Sequence, residues 1–393
     1  MNTAAHPVPR AWWGLAGLGV VMIFMSLVSL TVGFLLPRPQ SDPFGVVLVG
    51  TGAAVGFIGG GLLISGVRGR RGIESPPLVS RWGWLLCLGA ALVLLAIGLL
   101  LPSSAQVAPA FGLLHVSLVA LPAGAILMVT TLTAGSNAVL SVREGLLGLA
   151  GGALSVLAAL PLELLGFVGV GLVVILAAMI FPGGEAAVTD LLALLEQWTT
   201  APPSDAAAVL DLLRSPIILA IVALMLCVVA PLVEELCKTF LIGVFGFRQR
   251  PGLATAFLLG LSSGLGFAVL EGVSNGALGL GSGGGWAGGV GVRVLATAMH
   301  GLASGLIGLG WGWAWRGRWW ALPLTYLLAV LYHGFWNLNV VVAVSGAGLA
   351  APSGQGLGAV LVVGAVAFEL LLVAVTSAGL LGIPLFLRRP KAA

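Results

Sequence analysis

The chain has 393 residues, 59% hydrophobic and 8% charged, with a formal net charge of +4 and a mean hydropathy of +1.14. Soluble proteins carry about 25% charged residues, so this composition excludes a soluble globular domain and describes a multi-pass protein whose surroundings are the lipid bilayer. The small positive charge carries no nucleic-acid signal. The three cysteines, Cys87, Cys227 and Cys237, lie in apolar runs without disulfide or zinc-knuckle spacing.

A helix needs about 20 apolar residues to cross the hydrocarbon core. Ten runs meet that length: roughly 12–36, 44–66, 82–101, 109–133, 146–181, 215–246, 252–275, 290–314, 320–344 and 357–387. The expected fold is therefore all-α and polytopic. The first run has one preceding arginine and no signal-peptidase site, and reads as a span. The fifth is long enough to be tilted, broken at Pro161 or extended beyond the bilayer. Between the fifth and sixth, the acidic segment 182–214 contains EAAVTDLLALLEQW, whose apolar spacing predicts an amphipathic helix. The glycine-rich stretch 276–289 reads as a mobile loop.

Basic residues orient the spans. Arg10, Arg68, Arg70, Arg71, Arg81, Arg143, Arg248, Arg250, Arg316, Arg318, Arg388, Arg389 and Lys391 fall on one side of a ten-span arrangement. The positive-inside rule makes that side cytoplasmic, with both termini on it. Four segments are expected: accessory membrane helices over 1–145, the long fifth helix and acidic outer loop over 146–214, a catalytic core over 215–345, and a last helix with a basic tail over 346–393.

The sixth span holds PLVEELCKTF, so Glu234, Glu235 and Lys238 lie inside an apolar helix. Each ionised group costs about 2.5–3.5 kcal/mol at mid-membrane, or roughly 8–10 kcal/mol for three before pairing. A structural Glu234–Lys238 pair would account for two of them and leave Glu235 on a neighbouring face. Ionisable groups at this depth mark function. The seventh span places Phe267 and Glu271 four residues apart. In the eighth, Arg293, Ala296, Thr297, His300 and Ser304 share a face. In the ninth, His333 and Asn337 do so. At ~1.5 Å per residue, Glu235, His300 and His333 come out ~15–25 Å from the cytoplasmic ends and Glu271 at ~30 Å. Each histidine or glutamate alone reads equally as an interhelical hydrogen bonder. Four consecutive spans with polar interiors suggest one hydrolytic centre, in which carboxylate and imidazole hold a metal or a water and a further carboxylate takes a proton. His115 and Glu163, on earlier spans, read as structural. HExxH, Gly-Asp and Walker motifs are absent from the sequence. A proton-coupled transporter or a non-catalytic membrane scaffold would use the same buried groups.

The order Glu234-Glu235-x-x-Lys238, Phe267-x-x-x-Glu271, His300, His333-x-x-x-Asn337 resembles the PrsW family of intramembrane proteases, relatives of the CAAX prenyl proteases and the Abi proteins. Glu271 stands where CAAX proteases have His, which favours the PrsW branch. The resemblance covers about 215–340. It implies cleavage of membrane-anchored proteins, such as an anti-sigma factor, in a bacterial-type cell membrane. The site expected from residues and resemblance together has Glu234 or Glu235 as general base. Glu271, His300 and His333 hold a zinc ion or the water, with a metal-free glutamate mechanism as the alternative. Asn337 supports the oxyanion or orients His333, and Lys238 balances the glutamates. Arg293 and Ser304 are lesser candidates.

Overall fold

The computed structural model describes residues 9–35, 43–78, 80–135, 140–181, 184–200, 215–280, 284–350 and 355–388. The helices are α1 (Pro9–Leu35), α2 (Phe44–Arg70), α3 (Gly83–Leu100), the short α4 (Ser103–Gln106), α5 (Phe111–Ala134), α6 (Val142–Ile180) and α7 (Gly184–Thr200). After them come α8 (Pro216–Leu224), α9 (Ala230–Gln249), α10 (Leu253–Gly276), α11 (Gly284–Ala314), α12 (Ala321–Ala350) and α13 (Gln355–Arg388). Among the described residues ten helical segments are long and apolar enough to cross a membrane. They coincide with the ten runs read from sequence. Helix is the form an open chain takes in lipid, because it satisfies every backbone N–H and C=O within the segment.

Three local features refine the sequence expectations. First, α6 runs unbroken through Pro161 over 39 residues, about 58 Å at 1.5 Å per residue and well beyond a ~30 Å hydrocarbon core. Its start is fixed by a capping box. Ser141 Oγ accepts from Glu144 N, while Ser141 N and Oγ both donate to Glu144 Oε2. Second, a five-residue π turn, Met225–Val229, joins α8 to α9. Third, the stretch 276–289 is not an open loop where it is described. Beyond Gly276 a 3₁₀ turn covers Ala277–Gly279 and α11 begins at Gly284. Trp286 anchors it, fully buried against Phe111 and packed with Val46, Ala91, Leu118 and Val290. Residues 281–283 of that stretch, and 201–214 with Asp205 and Asp211 of the acidic segment, lie outside the described residues.

The helices form two compact units. The first comprises Met1–Val156, Cys237–Tyr326 and Thr376–Ala393. Its centre is α10, where Phe257, Leu261, Leu265 and Phe267 are all buried. Glycines let neighbouring backbones touch it. A Cβ on Gly264 would strike the carbonyl of His300 on α11, and one on Gly260 the carbonyl of Ser304. The start of α6 packs on α10 through Gly148 and Gly152, and α2 and α5 approach its other end at Val273 and Gly272. The basic ends of this unit are tied together. Leu78 N donates to Leu140 O at 2.7 Å, Arg70 lies over Trp13, Arg143 lies over Trp12, and Arg388 packs against Gly135.

The second unit comprises Leu157–Leu236 and Leu327–Val375. Here α7 forms as the apolar spacing predicts. Its Leu191 is buried with Ile217, Ile218 and Ile221 of α8, against Val170 and Val174 of α6. Asn339 on α12 donates to Glu369 on α13 at 2.7 Å.

Candidate functional site

The polar residues singled out in the sequence fall into two groups, one in each unit. In the second unit, α9 supplies Glu234 and Glu235 and α12 supplies His333 and Asn337. Glu234, Glu235 and His333 are all buried. His333 Nδ1 lies 3.0 Å from Glu235 Oε1. An ionised carboxylate only accepts, so Nδ1–H donates and the lone pair stands on Nε2. Nε2 faces Glu234 Oε2 at 4.0 Å. That separation is too long for a hydrogen bond, but it admits an ion bonded at about 2.0–2.2 Å to each atom. The donor chemistry of this pair therefore fits a divalent metal, and Glu235 fixes the tautomer that leaves His333 Nε2 able to meet one.

Asn337 stands one turn beyond His333. Its Nδ2 donates to Leu226 O, 2.7 Å away, in the π turn. A π turn widens the helix and leaves carbonyls short of intrahelical donors. Asn337 satisfies one of them. Gly334, also on α12, lies so close to the carbonyl of Cys227 that no side chain would fit. The π turn immediately precedes α9 and so sets which way Glu234 and Glu235 face. Nothing in residue type announced this turn. The apolar run MLCVV reads as ordinary membrane helix.

In the first unit, α9 continues one turn on from Glu234 to Lys238. Lys238 Nζ lies 2.8 Å from His300 Nδ1 on α11, and 4.1 Å from the centre of the Phe267 ring on α10. An ammonium only donates, so Nδ1 accepts and the imidazole proton is on Nε2. That nitrogen stands 2.8 Å from Glu271 Oε2. Glu271 is itself held on both oxygens. Arg293 NH2 donates to Oε2 at 2.7 Å, and Asn275 Nδ2 donates to Oε1 at 2.9 Å. A chain of charge-assisted contacts thus runs Arg293, Glu271, His300, Lys238. Its members have the i,i+4 and i,i+7 spacings that put Phe267, Glu271 and Asn275 on one face of α10 and Arg293 and His300 on one face of α11. The expected pairing of Phe267 with Glu271 gains a partner that the sequence reading missed: Phe267 also packs on the His300 ring, centroids 5.7 Å apart. Ser263, likewise missed, donates to the Lys238 carbonyl through its hydroxyl.

Among the lesser candidates, Ser304 is fully buried beside Gly264, and Arg293 is a full member of the chain of contacts. His115 belongs elsewhere in the first unit. Its Nε2 lies 3.1 Å from Val273 O, and its Nδ1 accepts from Trp286 Nε1 at 3.2 Å. Those bonds pin α5 to α10 and to the start of α11, as a structural histidine would. Glu163 is half-buried on α6. The three cysteines are free thiols.

A family model described as PrsW family intramembrane metalloprotease matches residues 164–373, slightly more than half of the chain. The matched span is wider than the 215–340 that carry the motifs. It takes in the second half of α6, and α7. No curated protein and no solved structure matches.

Proposed function

Because the chain belongs to the PrsW family of intramembrane metalloproteases, we propose that its buried glutamates and histidines form the centre that hydrolyses a peptide bond of a membrane-anchored protein substrate. The observation that carries this reading is the Glu235–His333–Glu234 arrangement, in which one carboxylate orients the imidazole and the other faces its second nitrogen across 4.0 Å.

We assign Glu234 and His333 as two metal ligands and keep His300 as the third on the motif order alone. Zinc is the metal we expect, since two imidazoles, one carboxylate and an open position are its usual catalytic set. When bound, zinc would polarise the scissile carbonyl and acidify a water. The chain's own residues do the rest. Glu235 keeps the proton of His333 on Nδ1. Glu271 does the same for His300 at Nε2, and Arg293 and Asn275 hold Glu271 in that role. The sequence reading puts Glu271 among the ligands; with both oxygens engaged, we give it the orienting task instead. Lys238 shares His300 Nδ1 and balances negative charge until that nitrogen is needed. Glu234 has the further task of receiving the proton of the attacking water. Asn337 sets the direction of Glu234 and Glu235 by pinning the π turn.

We further propose that both termini and the arginine-rich loops face the cytoplasm of a bacterial-type cell, with 182–214 on the other side. The ties among the basic ends of the first unit support a common side for them. The segments 1–145 serve as accessory helices; α2 and α5 buttress α10 through His115, Val119 and Gly50. An anti-sigma factor is one substrate of the required kind. The test is reconstitution with a co-purified membrane-anchored reporter. Close to one zinc per chain is expected by elemental analysis, and chelator should stop cleavage reversibly. His333→Ala should lose both metal and cleavage. Full cleavage by metal-free protein would refute the assignment.

A further inference from the structure

The segments 250–252, after α9, and 315–320, after α11, meet at one end of the first unit, where Arg316 donates to the Pro251 carbonyl at 2.8 Å. Between them opens a pocket of about 580 Å³ lined by Arg250, Ala314, Trp315, Arg316, Gly317 and Trp319. Sites for small ligands fall in the range of about 300–1,000 Å³. The lining holds two arginines and no carboxylate. The flanking sequences FRQRPG and WRGRWW add Arg248 and Arg318, again with no acid among them. Such a one-signed concavity attracts anions.

Two features go beyond a general basic rim. Arg316 is fixed in place: its guanidinium donates to Gly312 O at 2.6 Å as well as to Pro251 O. A guanidinium carries five N–H groups, so these two bonds set its plane and leave donors for a ligand. Arg250 is the one non-glycine residue with positive φ among the described residues, at +43°. It closes the end of α9, where its N–H donates to Gly246 O at 2.8 Å. Glycine fills such a helix-ending position without strain. A side chain held there against its conformational preference points to a task for the guanidinium itself. Beside the pocket, Trp319 and Trp320 are exposed, as indoles are at the membrane–water boundary, and Leu324 continues the apolar surface of α12.

We propose that this pocket binds the phosphate of an anionic phospholipid headgroup. Arg250 and Arg316 donate charge-assisted hydrogen bonds to its oxygens, and the lipid's glycerol and first acyl carbons lie along Trp319 and Leu324. A membrane lipid is the occupant, not a soluble anion, because the pocket opens beside the exposed indoles at the ends of spanning helices. The site shares no residue with the Glu/His groups and stands whether or not they catalyse.

The full chain, purified in neutral detergent, would be titrated with phosphatidylglycerol and with phosphatidylcholine and read by native mass spectrometry. One phosphatidylglycerol should be retained, with at least a tenfold preference over phosphatidylcholine. Arg250→Gly should weaken it by about fivefold or more, as expected for one arginine at a charged lipid surface. The same variant should melt at the same or a higher temperature, since glycine relieves the backbone. That combination separates loss of a ligand contact from loss of structure. Equal retention by wild type and Arg250→Gly, or no preference for the anionic lipid, would overturn the proposal. Displacement of the lipid by millimolar inorganic phosphate, itself bound in lipid-free protein, would make this a soluble-anion pocket and overturn it equally.

Discussion

His300 and His333 are built on one plan: one ring nitrogen rests on a glutamate and the other is directed elsewhere. For His333 the glutamate is Glu235, and for His300 it is Glu271. Loss of a carboxylate that orients a ligating histidine typically lowers metal affinity or activity by about 10–100-fold. Glu235→Gln and Glu271→Gln are therefore expected to fall in that range. Glu234→Gln should be far worse, at the background of the assay, because it removes the proton acceptor and a proposed ligand together. Initial rates on the reporter check the ordering; equal rates for Glu234→Gln and Glu235→Gln would reject the division of roles. Arg293 acts through Glu271. Arg293→Met should lower the rate about as far as Glu271→Gln, and Arg293→Lys should restore part of it.

At the scale of the element, two helices owe their placement to backbone contacts. Gly264→Ala drives a methyl into the His300 carbonyl, which cannot yield without moving α11. Overpacking of this kind costs about 1–3 kcal/mol or more. A drop of several degrees in the thermal midpoint and loss of cleavage should follow. Gly288→Ala, on the same α11 but with nothing near its Cβ, should be neutral or slightly stabilising. Thermal shift measurements on the pair would expose the contrast. The π turn is the second case. Asn337→Ala removes the donor to Leu226 O, and a carbonyl left without a donor away from water costs about 1–3 kcal/mol. Asn337→Asp cannot donate when ionised and should not rescue. If Asn337→Ala kept full activity and stability, the π turn would not depend on it.

For the whole molecule, the expected topology follows from the arginines and from α6, which passes once between Arg143 and Glu185. In a background with the three native cysteines replaced by serine, Arg318→Cys should react only from the cytoplasmic side and Glu185→Cys only from the other. Labelling of both from one side would reject the ten-span arrangement. Contacts group the helices in a way that a linear division of the chain does not anticipate. The first unit gathers N-terminal helices, α10, α11 and the end of α13, so helices far apart in sequence share one core. The accessory role proposed for 1–145 predicts that cutting the chain before α6 removes the support of α10 at Val273 and with it stable folding.

The sequence by itself determined the class, the ten candidate spans and the four of them that carry polar interiors. These depend on local quantities: the length of an apolar run against the thickness of a bilayer, and the cost of burying a charge. It also carried the family, because motif order along the chain survives without coordinates. The tertiary structure decided the partners. A helix turns about 100° per residue, so counting along Glu234, Glu235 and Lys238 gives depth but not which neighbour each one faces. Only packing could place Glu235 on His333, Lys238 on His300 and Arg293 on Glu271. Packing also made helix of the glycine-rich stretch around 284, since burying Trp286 outweighs the freedom of the glycines beside it. The π turn was hidden for the same reason: its extra residue is stabilised by Asn337, more than a hundred positions away, and no local pattern records that bond.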